Sequence, residues 1–525
     1  MTRSPDLETD LGPRTYGVLA ATVTVVFAAV AVVWALVMPA FSGPDELRHY
    51  NSVVRVLDGG GWPEPYKADV LDATFTAFYE SGAEYRGVGL AHLPDPEDRS
   101  TVLDGGPSGF TVSDQMVQHP PAYYYVLASV VSASDEASLR WDHAQLSMRL
   151  LSAMLVAGAV PLLIGIGRWI TGSRLAGIVA GSAILFVPFF GTAAGHISND
   201  ALLILACTTS LYAAVRAVVS LRPAWLLVCG AALGVALLTK GFALLLIPVI
   251  AAFAVLAVVR AGLRPWRAIA IAGATFAIAF AIGGWWWLRN LITIGKLQPS
   301  MLGNRERSTA PHPDYDLLEF MTSAVGRLNR TFWGRGARAE FALPELAVMI
   351  AGGVSLAIVV AALFFARRRL EFLLLMSFPV LILTTTLVNA HAIYWDIGDP
   401  SRGVQGRYVF ASITAWTTAV AIVVWTATRR GSLRARSTVV AAVFLMGALT
   451  TVAAGWWVIR SISEPDGIWA YVAATGVRHG VPPATLLVAV AVGIVAAAAT
   501  VAILCVGTSV GSVRLAAPWL DKEDA

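Results

Sequence analysis

Apolar runs of about 18 to 25 residues recur from one end of the chain to the other, each long enough to cross a hydrocarbon layer of ~30 Å. Read as windows of hydrophobicity, they predict spans near residues 16–40, 147–169, 175–194, 199–219, 224–238, 241–259, 268–288, 345–366, 371–390, 408–428, 438–459 and 483–507. Between them lie short basic turns and long polar loops. The pattern predicts an all-α polytopic membrane protein of about 12 transmembrane helices, with interfacial helices in a large first extracytoplasmic loop. In chain order the expected parts are a cytoplasmic tail (1–15), the first helix (16–40), the large loop (41–146), helices two to seven (147–288), a second large loop (289–344), helices eight to twelve (345–507) and a cytoplasmic tail (508–525). The apolar stretch Tyr123 to Val131 is too short to span and is expected as an interfacial or re-entrant helix.

Composition agrees with a membrane chain. Apolar residues make up 57% and charged residues 14% of 525, whereas soluble domains carry roughly 25% charge. The first apolar run continues for about 24 residues after Arg14, longer than the ~7–15 of a signal-peptide core, and is expected as a retained anchor. Charge then sets the side. The arginines at 168, 174, 216, 222, 260, 264, 267, 367–369 and 429–436 all fall in short turns on one side, which the positive-inside rule makes the cytoplasm. Both termini share that side, and the loops 41–146, 289–344, 391–407 and 460–482 face outward, placing the chain in the plasma (inner) membrane. The net charge of +4 is spread over these turns, so nucleic acid is excluded as a partner. Cys207, Cys229 and Cys505 sit inside apolar runs without paired spacing and indicate neither disulfides nor a zinc site. No internal repeat is visible.

The first outer loop opens with Phe41-Ser42-Gly43-Pro44-Asp45-Glu46-Leu47-Arg48-His49-Tyr50. Pro44 suits a first helical turn and Ser42 or Gly43 can cap it. Leu47, Tyr50, Val54 and Leu57 share one face, and Asp45, Arg48, His49 and Ser52 the other, as in an amphipathic helix on the outer leaflet that stops at Asp58-Gly59-Gly60-Gly61. Asp45 and Glu46 have two readings: first-turn capping, or a general base at the lipid boundary.

Other short motifs follow in order: Gln118-His119-Pro120-Pro121-Ala122-Tyr123-Tyr124, Ser198-Asn199-Asp200, Leu238-Thr239-Lys240, Trp285-Trp286-Trp287-Leu288-Arg289-Asn290, Phe332-Trp333-Gly334 and Gln405-Gly406-Arg407-Tyr408. Together with Pro44-Asp45-Glu46 they span residues 44–408, and their order resembles the GT-C superfamily of membrane glycosyltransferases. The chain is similar to its bacterial members with a Pro-Asp-Glu first loop, related to the protein mannosyltransferases and lipid A aminoarabinose transferases. The resemblance implies a GT-C-like fold and transfer from a polyprenyl-phosphate-linked sugar donor to a cell-envelope glycan, lipid or protein acceptor, with inversion at the anomeric carbon. Asp45, with Glu46 beside it, matches the family's first-loop acidic residue, which acts as catalytic base or binds the acceptor, and the resemblance makes Asp45 the candidate base.

A departing lipid phosphate gains negative charge, so cations at span ends would lower the barrier. Lys240, Arg289 and Arg407 hold such places, with Gln405 and Tyr408 flanking Arg407. Two have a plain alternative: Lys240 as a solvated turn residue, and Arg289 as snorkelling beside Trp285 to Trp287. His49 and His119 are candidate polar contacts to sugar or phosphate, although Pro120 and Pro121 also fix a structural turn with Tyr123 to Tyr125 as interface anchors. Asn199 and Asp200 either cap the span they open or contact substrate.

No metal ligand set and no cofactor motif is evident. Asp95-Pro96-Glu97-Asp98 could hold a divalent cation only superficially, since Pro94 and Pro96 favour a turn. The competing function, a transporter or flippase of lipid-linked envelope precursors, calls for ionisable residues near the bilayer midplane. The spans are almost free of charge at their centres.

Overall fold

The structure, a computed structural model, describes residues 10–65, 67–83, 94–105, 111–133, 139–299, 310–334, 342–463, 467–482 and 484–506. The expected tail 508–525 and residues 1–9 lie outside the described residues. Helix α1 (Pro13–Val37) is the first span, and the loop after it carries α2 (Glu46–Leu57), α3 (Asp72–Glu80) and α4 (Ala122–Val131). Next come α5 (Trp141–Ala157) and α6 (Val160–Thr171), which follow end to end as one 31-residue apolar segment. α7 (Arg174–Ala183) and α8 (Pro188–Ala194) belong to a segment bent by 81°, broken where Pro188 lacks the N–H that a continuous helix needs.

α9 (Asp200–Val219), α10 (Trp225–Leu237) and α11 (Leu246–Arg260) run back and forth, and α12 (Pro265–Ala279) joins α13 (Trp285–Ile294) through a five-residue π-helical stretch. The remainder is α14 (Leu317–Trp333), α15 (Glu345–Phe365), α16 (Arg369–Ile397), α17 (Ile413–Thr428), α18 (Leu433–Ile462), the short α19 (Ile468–Ala473) and α20 (Thr475–His479), and α21 (Ala484–Val506).

Ten helical segments among the described residues are long and apolar enough to cross a membrane. The bent pair can make an eleventh, and α10, at the place of the remaining expected span, is apolar but too short to cross by itself. With 13 residues, α10 is about 20 Å long, so one of its ends lies within the depth of a ~30 Å hydrocarbon layer. Apolar attraction between helices is weak in lipid, and close packing replaces it. Where α10 crosses α12 and the π-helical stretch, a Cβ on Gly230 would stand 2.2 Å from the Thr275 carbonyl oxygen, and one on Gly283 would stand 2.1 Å from that of Gly234. Only glycine lets these backbones touch.

The first loop departs from expectation. α2 does not lie amphipathically on a surface: it packs against α3 and α4, and its polar positions are covered as well as its apolar ones. Asn51 shows why, donating to Asp114 (2.7 Å) and accepting from the Leu71 N–H (2.8 Å) and the Thr74 hydroxyl (3.0 Å). The loop folds back and supplies partners that water would otherwise supply. Tyr123 and Tyr124, expected as interface anchors, are also buried, while Tyr125 is exposed.

Candidate active site

The turn between α1 and α2 places two adjacent carboxylates in different surroundings. The fully buried Arg149 of α5 donates to the carbonyls of Ala35 (3.0 Å), Met38 (2.8 Å) and Pro39 (2.7 Å), satisfying acceptors at the end of α1. Its remaining donors meet both oxygens of Glu46, at 2.7 and 2.9 Å. Glu46 also accepts from the N–H groups of Gly43 (3.0 Å) and Ile197 (3.3 Å). Burial would raise the Glu46 carboxyl, but Arg149 and these hydrogen bonds hold it down to about 2.

Asp45 is turned the other way. α2 begins at Glu46 rather than at Pro44, and its N-cap is Asp45 in a left-handed conformation (φ 60°, ψ 12°), which is uncommon outside glycine and tolerated best by Asp and Asn. Its carboxylate does not cap the helix. It accepts instead from Arg407 (2.7 Å) and lies 3.4 Å from the Gln115 amide nitrogen. Arg407 also donates to the Pro44 carbonyl (3.2 Å). The Asp45 side chain keeps 35% of its surface exposed and that of Glu46 none. Burial pushes the Asp45 carboxyl up, and Arg407 outweighs it, so the group sits below its ordinary value.

A second ion pair stands next to the first. Lys240, in the turn after α10, donates to Asp200 at the start of α9 (2.6 Å). Burial holds the Lys240 ammonium below its ordinary value, with Asp200 opposing. The Lys240 nitrogen and the Arg407 guanidinium lie 5.8 and 5.9 Å from the centre of the Tyr408 ring, which packs on Phe242. Two cations and two carboxylates thus surround one aromatic ring. Gln405 leads the tight turn Gly406–Ser412 that aims Arg407 and Tyr408.

On the α2 side, His49 shares a hydrogen bond with the Tyr124 hydroxyl (2.9 Å), Trp62 stacks on Tyr124, and the Trp62 indole donates to the His119 carbonyl (3.1 Å). Burial pushes both His49 and His119 down to about 3, so both are neutral near pH 7. Among the described residues, His119 Nδ1, both amide atoms of Asn199, His196 Nε2 and Arg407 Nε are buried without a hydrogen-bond partner. Folded proteins rarely leave such groups unpaired, and a cluster of them marks a place for a ligand or water.

The structure therefore brings together Asp45, His49, His119, Asp200, Lys240, Arg407 and Tyr408, with Asn199 beside Asp200. Arg289 is not drawn in: its guanidinium lies over the Trp286 ring at 4.9 Å and reaches Asn290 at 3.5 Å, which fits snorkelling beside an aromatic belt. Pro96–Asp98 forms a short turn, and among the described residues no three His, Cys, Asp or Glu side chains are grouped to hold a metal ion. Arg149, Gln115 and His196 were not singled out from the sequence. Arg149 had a signal, an arginine inside an apolar run, where charge marks structure or function; Gln115 and His196 had none.

Residues 116–294 match the family model described as dolichyl-phosphate-mannose-protein mannosyltransferase, a family in the group that the ordered motifs resemble. No curated protein sequence matches the chain. Among solved structures, the chain is similar to ArnT from Cupriavidus metallidurans bound to undecaprenyl phosphate, with 18% identity, a TM-score of 0.46, and coverage of 92% of this chain and 77% of that one. It is also similar to the Archaeoglobus fulgidus oligosaccharyltransferase tethered to an acceptor peptide, with 13% identity, a TM-score of 0.42, and coverage of 84% and 55%.

Proposed function

We propose that this chain is a membrane glycosyltransferase that moves a sugar from a polyprenyl-phosphate-linked donor to a cell-envelope acceptor, working on the extracytoplasmic face of the plasma membrane with both termini in the cytoplasm. The observation that carries the reading is the meeting of the Asp45–Arg407 and Asp200–Lys240 pairs around Tyr408. The match of residues 116–294 to a family named for a lipid-phosphate-linked mannose donor supports it. The sidedness rests on the positive-inside rule, which puts the basic turns in the cytoplasm and this cluster on the other side.

In this reading Asp45 takes the proton from an acceptor hydroxyl as that oxygen attacks the anomeric carbon. The bond from carbon to phosphate oxygen breaks, its electrons stay on the phosphate, and the configuration inverts. Arg407 and Lys240 stabilise the phosphate charge as it grows. The Asp45–Arg407 contact couples the two events: a donor phosphate that draws Arg407 toward itself releases Asp45 to become a stronger base. Glu46 positions the Asp45 turn through Arg149 and does not touch substrate.

The test is transfer from a synthetic polyprenyl-phosphate-linked sugar by purified protein in lipid nanodiscs. Asp45→Asn is expected to lose transfer by about 10²–10⁴-fold while lowering the melting temperature by no more than a few degrees, because Asn accepts the same left-handed backbone and keeps an oxygen for Arg407, whose pair with the one-third-exposed Asp45 is less costly to break than a fully buried one. Full activity in that variant sinks the assignment of the base. Failure of the wild-type protein to bind any polyprenyl phosphate sinks the donor class.

A further inference from the structure

At the end of the helices opposite Asp45 lie two cavities. The larger, about 670 Å³, opens between the ends of α6, α9 and α11 and the turn from α15 to α16, with Arg260, Arg367, Arg368, Arg369 and Glu371 in its wall. The other, about 430 Å³, is lined by Arg367, Trp425, Arg429 and Arg430. Arg367 belongs to both, so they adjoin. Among the described residues, six guanidinium groups from three separate stretches of chain line them, and Glu371, paired with Arg260, is the one carboxylate in either wall.

Orientation in a membrane explains arginines in loops, but not their convergence. Like charges crowded together repel one another; of the six, Arg368 is half-buried and the other five are exposed. Helix dipoles favour Arg260, Arg429 and Arg430, which stand at or just past the C-terminal ends of α11 and α17. Arg368 and Arg369 stand between two helix ends: Arg369 donates to the Phe364 carbonyl at the C-terminal end of α15 (2.9 Å), and both residues open α16, where an anion is the preferred neighbour. Burial, and behind it the cations Arg260 and Arg367 acting against Glu371, hold the Arg368 guanidinium below its ordinary value. Arg367 and Arg429 flank the Trp425 ring at 5.7 and 5.2 Å, which fixes the bridge between the two spaces. Beside these residues in sequence, Val259, Phe364, Phe365, Leu370 and Leu373 expose apolar side chains, a surface for aliphatic chains rather than for water.

We propose that the two cavities form one binding site for an acidic phospholipid whose head group carries two phosphates. One phosphate lies among Arg260, Arg368 and Arg369, the other among Arg429 and Arg430, and Arg367 stands between them. The acyl chains run along the exposed flanks of α11, α15 and α16. Two adjoining basic spaces distinguish this ligand from a single-phosphate lipid, and the apolar flanks distinguish it from a free anion. Basic pockets between helices at the cytoplasmic surface are suited to such head groups.

Native mass spectrometry of delipidated protein, titrated with cardiolipin or phosphatidylglycerol of matched acyl chains, tests this without any transfer assay and independently of the role of Asp45. Cardiolipin is expected to bind at least about tenfold more tightly, as one further phosphate engaged by two arginines implies. The double variant Arg368→Gln/Arg430→Gln, one change in each cavity, is expected to lose about tenfold or more in cardiolipin affinity. Arg264→Gln/Arg267→Gln, the same charge change at the same end but outside both cavities, is expected to leave it nearly unchanged. Glu371→Gln frees Arg260 and is expected to strengthen binding several-fold, a gain that misfolding cannot produce. Equal losses in the two double variants would reduce the site to diffuse charge and overturn the proposal. Equal affinity for the two lipids, or displacement of cardiolipin by millimolar inorganic phosphate, would overturn it equally.

Discussion

Replacing Glu46 by Gln removes one charge from an ion pair that water does not reach. Arg149 and Glu46 are both fully buried and joined by two hydrogen bonds, and breaking such a pair from one side costs about 3–5 kcal/mol because the partner charge stays buried. Unfolding entropy of about 2.1 cal/mol/K per residue, taken over 525 residues, is about 1.1 kcal/mol/K, so the melting temperature should fall by about 3–5 °C. The assay is tryptophan fluorescence of the purified protein during heating. Proton linkage gives a second readout. The Glu46 carboxyl is held at about 2, below its ordinary 4.5, so its stabilisation is complete above about pH 4.5 and is lost as pH falls toward 2. Glu46→Gln should flatten the melting profile in that window. Arg149→Met should be worse, because it also strands three carbonyl oxygens at about 1–3 kcal/mol each. A Glu46→Gln protein that melts like wild type yet transfers no sugar would refute this reasoning and place Glu46 in the chemistry.

The contrast between Glu46 and Asp45 marks where sequence reading stops. The long apolar helices were legible because crossing a bilayer imposes a length and an apolar composition that survive any arrangement of neighbours; the break in the α7–α8 segment and the shortness of α10 were not. The direction in which adjacent side chains point was not. It depends on the positive φ at Asp45 and on Arg149, more than a hundred residues away, and neither follows from local periodicity. The same limit hid the burial of α2. Its polar face looked destined for water, but Asn51 and His49 found partners in Asp114 and Tyr124 instead. Lys240 and Asp200, both at ends of apolar runs, are ion-paired in the structure, whereas Arg289, chosen on the same ground, turned to Trp286. A span-end position constrains depth in the bilayer and leaves rotation about the helix axis open.

The remaining predictions concern the cluster and its scaffold. Arg407→Gln leaves burial to act on Asp45 with less opposition, so the acid limb of the kcat/KM profile should move to higher pH; a limb that stays in place would separate Arg407 from the base. Gly283→Val should abolish folded protein, since even a Cβ would collide with the Gly234 carbonyl oxygen, and normal accumulation after purification would show that the crossing of α10 yields. Lys240→Met should both destabilise the protein and weaken transfer, because it strands the Asp200 carboxylate at a cost of about 3–5 kcal/mol and removes a cation from the phosphate position. The two effects come apart in the double variant Lys240→Met/Asp200→Leu. Apolar residues of similar size often replace a buried ion pair with little loss of stability, so the double variant should regain much of its melting temperature, while transfer, which needs the cation itself, should stay low. If transfer recovers together with the melting temperature, Lys240 serves only to hold α9 and α10 together, and the phosphate charge rests on Arg407 alone.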